Sequence, residues 1–120
     1  MIALATRDLL WRTRLVEAAR ATGVAFAECR DVPGLQRVLA ERALSGVLVD
    51  LEMEDAPALI AAARDWARAA GSELAIWAFG AHTDREGFEL ARAAGAARVL
   101  ARGALAARVG EIIEELERGR

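Results

Sequence analysis

Five side chains suited to chemistry fall at or just beyond the ends of apolar runs in this 120-residue chain. Asp50 closes Gly46-Val47-Leu48-Val49-Asp50, an unbroken apolar segment that ends in a carboxylate. A strand buried on both faces reads this way, because a parallel sheet covered on both sides has no polar face to alternate with. Its last residue then lies at the C-terminal edge of the sheet, where open α/β sheets place their ligand sites. Arg7 and Asp8 follow the first apolar run, His82 the fourth and Arg102 the fifth. Arg7 and Arg102 are candidates for an anion site at that edge, helped by the N-terminus of the first helix; the plainer reading is charge balance against Asp50 and Asp8. His82, the only histidine, has the range of an acid, a base or a ligand, and the plainer reading is a loop residue bonded locally. Asp8 and Glu52 offer further metal oxygens at a nonspecific spacing.

Five strands, each followed by a helix, must carry these residues. Met1–Ala5 reads as the first strand, and Asp8 as the N-cap of a helix whose apolar residues recur at Leu9, Trp11, Leu15, Val16 and Ala19. Val24–Glu28 reads as a short edge strand. Asp31 and Pro33 open the second helix, with Leu35, Val38, Leu39 and Ala43 inward. Pro57 starts a third helix that buries Leu59, Ile60, Ala63, Trp66 and Ala70. Leu74–Phe79 is the fourth strand. Thr83 and Glu86 fit a capping box for a short helix with Phe88, Leu90, Ala91 and Ala94 inward. Arg98–Ala101 is the fifth strand, and one last helix begins at Gly103. The expected architecture is a doubly wound five-stranded parallel sheet, (βα)5, in the flavodoxin-like order 2-1-3-4-5, forming a single domain over residues 1–120.

Composition excludes several classes. With 55% hydrophobic and 28% charged residues the chain is globular rather than disordered. A net charge of −2 gives no global field toward nucleic acid or an anionic membrane, so neither is expected as a partner. The apolar N-terminus lacks a preceding basic region and reaches Arg7-Asp8 too soon for a signal peptide, and no apolar run has membrane-spanning length; a cytoplasmic location is the expectation. Cys29 stands alone, without a disulfide or cysteine-metal framework, and reads as an inert thiol. No Gly-x-Gly-x-x-Gly or Walker loop is present, and no Ser/Thr-rich loop follows the first strand. Ser45 and Ser72 lie at the wrong end of the sheet for a nucleophile, so no enzyme activity is expected.

Val47-Leu48-Val49-Asp50, Ile76 to His82 and Gly95 to Arg102 together resemble a receiver domain of two-component signalling, the CheY-like response-regulator family, over nearly the whole chain. The resemblance implies that Asp50 holds the position of the phosphoacceptor. It also implies two acids at the end of the first strand to hold Mg²⁺, where this chain has Thr6 and Arg7. It implies Thr or Ser at the end of the fourth strand, where Gly80 stands, and Lys then Pro after the fifth, where Arg102 and Gly103 stand. The aromatic switch position is Val99. The turn through Phe79, Gly80 and His82 is similar to one in a group of uncharacterised bacterial receiver-like proteins.

Phosphoryl transfer to a carboxylate brings two anions together, so a divalent cation must offset the developing charge. Mg²⁺ needs oxygen ligands in near-octahedral array. Arg7 would repel it and instead neutralise Asp50. The expectation is therefore a degenerate pseudo-receiver, with no cofactor and no Mg²⁺. It would act as a stand-alone, phosphorylation-independent module through protein contact or self-association at the fourth helix, fifth strand and last helix. The alternatives are a small-anion sensor built from Arg7, Asp8, Asp50, His82 and Arg102, and a conventional regulator phosphorylated at Asp50.

Overall fold

The computed structural model describes residues 1–119. Five parallel strands, β1 (Ile2–Ala5), β2 (Phe26–Cys29), β3 (Gly46–Asp50), β4 (Ala75–Gly80) and β5 (Arg98–Ala101), form one sheet in the order β2-β1-β3-β4-β5. The expected fold class and strand order are both observed, with β2 on the edge as its short, mixed pattern indicated. Every residue of β3 and β4 is buried.

The sheet carries a hydrophobic cluster on each face. On one face α2 (Val32–Glu41), α3 (Ala56–Ala70) and α4 (Arg85–Ala94) pack against Ala3, Ala5, Val47, Val49, Ile76 and Ala78. On the other, α1 (Leu9–Thr22), α5 (Arg102–Ala107) and α6 (Val109–Glu117) cover Ile2, Leu4, Leu48, Trp77 and Phe79. Trp11 of α1 meets Phe79 with ring centroids 5.0 Å apart, so this tryptophan is core rather than interface. Gly46 is required by close approach: a Cβ there would fall 2.5 Å from the Leu116 side chain and 2.8 Å from its carbonyl oxygen. No helix among the described residues is long and apolar enough to cross a membrane.

Several local expectations change. The last helix is two helices, interrupted at Arg108 (φ −140°, ψ 36°), where Gly103 and Gly110 weaken helix propensity on both sides. Asp84, not Thr83, caps α4, accepting from the Gly87 amide at 3.0 Å. A carboxylate is the stronger acceptor at a helix start, and the shift places Gly87 instead of Glu86 three residues on, so the reciprocal bond of a capping box cannot form. Leu90 lies outside the buried stripe of α4 and is 50% exposed, while Ala43 and Ala70 are exposed and Trp66 is half-buried. Asp8 and Asp31 cap their helices as expected, Asp8 accepting from Leu10 and Trp11 and Asp31 from Gly34.

Candidate functional site

Strand register builds the site. β1 and β3 pair with Ala5 opposite Val49, so the residues that follow, Thr6 and Asp50, emerge side by side at the C-terminal edge. Asp50 is 1% exposed, a charge that must be satisfied from within. The Thr6 hydroxyl donates to Asp50 Oδ2 at 2.7 Å, and the Glu52 amide donates to Oδ1 at 3.0 Å. Arg102, at the start of α5, brings its guanidinium to 4.0 Å from Oδ1 and to 2.9 Å from Glu52 Oε1. The Nε of Arg102 is buried without a hydrogen-bond partner among the described residues. The expected pairing of Arg102 with Asp50 is thus present, with Glu52 as the nearer partner.

Arg7 does not neutralise Asp50, which corrects the sequence expectation. Its Nε donates to the Arg30 carbonyl at 2.9 Å, and its other end meets Asp55 at 3.4 Å. The physical reason is that Thr6 already occupies Asp50 Oδ2, while the loop before α3 presents Asp55 on the outer side. Asp8 is likewise committed elsewhere: its carboxylate caps α1 and its amide donates to the Thr6 hydroxyl at 3.1 Å. Arg7, Asp8 and Asp50 do share a cavity of about 360 Å³ with Glu52, Met53 and Glu54. His82 is exposed in the loop after β4 and is not among the residues lining that cavity, so the five candidates do not assemble as one site.

Four carboxylates and one arginine line the Asp50 cavity, a balance that disfavours an anionic ligand. Yet no group of three His, Cys, Asp or Glu side chains among the described residues converges to hold a metal ion. Gly80, at the end of β4, is covered by Leu51: a Cβ at Gly80 would lie 3.1 Å from Leu51 Cβ and 3.2 Å from its Cδ1. A hydroxyl-bearing residue at this position would displace Leu51. Cys29 is buried among apolar groups, and desolvation, with Asp31 and Glu28 nearby, pushes its thiol up to about 11. At neutral pH it is a protonated, unreactive thiol.

Sequence reasoning overlooked Thr6, whose neutral hydroxyl drew less attention than the charges beside it. The signal was available in the pairing of the first and third strands, which sets their terminal residues adjacent. Leu51 and Asp55 were also missed, because loop side-chain directions have no periodicity to read.

Several solved structures that superpose on this chain are receiver domains of response regulators. The receiver domain of the response regulator NarL from Mycobacterium tuberculosis superposes with a TM-score of 0.76 at 19% identity, over 99% of this chain and 96% of that one. The receiver domain of Ssk1 from Saccharomyces cerevisiae, solved together with the histidine phosphotransfer protein Ypd1, gives 0.81 at 13% identity, over 98% and 88%. NtrX from Brucella abortus gives 0.81 at 19% identity over 98% of this chain, which spans 27% of the NtrX chain. The chain therefore has the receiver fold. No family model matches the sequence, and no curated protein matches it.

Proposed function

We propose that this chain is a receiver-like signalling module that works without phosphoryl transfer, by contact with a protein partner or a second copy of itself. One observation carries the reading: the chain itself holds the buried Asp50 carboxylate, with one hydrogen bond on each oxygen, from Thr6 and from the Glu52 amide, and the Arg102 guanidinium 4.0 Å away. Thr6 and Arg7 stand where a metal-dependent receiver needs two carboxylates, and the carboxylates that do line the pocket do not converge in a group of three beside Asp50. Leu51 packs tightly over Gly80, where a side chain would need it to give by a few tenths of an ångström.

The contact surface on this reading is α4, β5 and the helices that follow. Leu90 projects from α4, and each residue of β5 is half-buried on the sheet edge. Leu90 stands beside the loop that opens α3, and the incompletely covered edge strand β5 offers a second contact element.

Acetyl phosphate with Mg²⁺, followed by intact-mass measurement, tests the reading. The expected result is an unchanged mass. A stable gain of one phosphoryl group, absent in Asp50→Asn, would restore the conventional regulator phosphorylated at Asp50.

A further inference from the structure

Three large hydrophobic side chains stand in solvent among the described residues: Leu9, 73% exposed, Leu10, 61% exposed, and Leu90. They fall in two places of opposite charge. Leu9 and Leu10 open α1, where Asp8 caps the helix and Trp11, Leu15, Val16 and Ala19 take the buried stripe, leaving both leucines off it. Leu90 lies at the rim of a groove of about 280 Å³ between α4 and the loop that opens α3.

The leucines of α1 are flanked by bases. Arg12 and Arg14 sit one turn beyond Leu9 and Leu10, and Arg7 just precedes the helix. Arg7 and Arg12 have partners in Asp55 and Glu28 but stay exposed, and Arg14 lies over the Trp11 ring at 5.4 Å. Asp8, the acid among them, is committed to the helix cap. The groove is flanked by acids. Glu52, Glu54, Asp84 and Glu86 line it and no basic side chain does, although Arg102 reaches Glu52 from outside. Its apolar surface is accessible at half-buried Leu51 and at exposed Pro57 and Leu90, while Met53 and Ala56 are closed off. The volume falls below the usual range of small-molecule sites, which suits protruding side chains better than a bound metabolite.

One chain cannot bring its own patch to its own groove, because α1 covers one face of the sheet and α3 and α4 the other. A second copy can. Opposite charges around exposed leucines on both sides are the complementarity that steers and orients a protein contact. Pairing like patches would set arginines against arginines, or acids against acids.

We propose that this chain associates with itself head to tail, Leu9 and Leu10 of one copy docking in the groove beside Leu90 of the next, with the arginines of α1 facing Glu54 and Glu86. The inference rests on the reading of α4 as a contact surface and names its partner.

Sedimentation of the whole chain from micromolar to millimolar concentration should show assemblies larger than a monomer, which dissociate as added salt screens the charges. Leu10→Gln and Leu90→Gln should each weaken association about tenfold, the scale expected for losing a leucine buried at a contact. Both positions are exposed and glutamine is a good helix former, so both variants should fold. The decisive sample is an equal mixture of the two variants, at a concentration where each alone is monomeric. The intact patch of the Leu90→Gln chain then meets the intact groove of the Leu10→Gln chain, and a one-to-one complex should form. A monomer at every concentration, association indifferent to salt, no effect of either variant, or a mixture that stays monomeric would each overturn the proposal. A monomeric chain whose mass is unchanged by acetyl phosphate would reject the self-contact alone. A phosphoryl gain in a chain that self-associates would reject only the reading without phosphoryl transfer.

Discussion

Two cavities lie on either side of Arg7 and obey opposite rules. Toward β3, the space beside Asp50 is lined by carboxylates whose buried member is already satisfied. Toward β2, the space is rimmed by Arg7, Arg12 and Arg30 against one acid, Glu28, above core residues that are closed off from it. The two differ in how the sheet is covered. β3 is central and its terminal acid is enclosed by strand neighbours and loops, so its charge had to be met internally. β2 is an edge, and its face is covered by side chains rather than backbone elements. The buried Asp50 carboxylate is hydrogen-bonded on both oxygens, although Arg102 Nε beside it has no partner among the described residues.

Substitutions separate the two regions. The largest effect should come from Leu15→Ala, since Leu15 is fully buried in the core beneath the β2-side cavity. A loss of about 2–5 kcal/mol is expected in urea unfolding; a value well below that range would mean the core there collapses easily and the cavity is not held open. Thr6→Val keeps the shape and removes the hydroxyl from Asp50 Oδ2, for a loss of about 1–3 kcal/mol. If chemical denaturation detects no change, Asp50 is not satisfied through Thr6 and the contrast between the cavities fails. Arg7→Gln should matter least, about 0–1 kcal/mol, because its partner Asp55 is partly exposed. A larger loss by thermal unfolding would show that the two sides are joined by more than a surface contact.

The sheet was readable because burial on both faces writes itself into β3 and β4 as continuous apolar runs. Strand order is written in no residue; it is expected only because five βα units in this length leave few other choices, and the sheet has that order. The candidate site was readable only in part. Asp50 and Arg102 stand out as charges at strand ends, and both are where their positions implied. Arg7 turned outward because its direction depends on the Arg30 carbonyl and Asp55, residues 23 and 48 positions away. His82 marks a loop whose course no periodicity records. The cavity beside β2 is illegible in sequence for a related reason: it is framed by side chains of α1 and β2 far apart in the chain, which form no motif.

The Thr6 hydroxyl is a donor and an acceptor at once, giving its proton to Asp50 and taking that of the Asp8 amide. Asp8 in turn anchors the first turn of α1, where Leu9 and Leu10 stand in solvent. One oxygen atom thus links the central acid to the exposed leucines as the pin links two arms of a lever. The central acid and the entrance of α1 lie two hydrogen bonds apart.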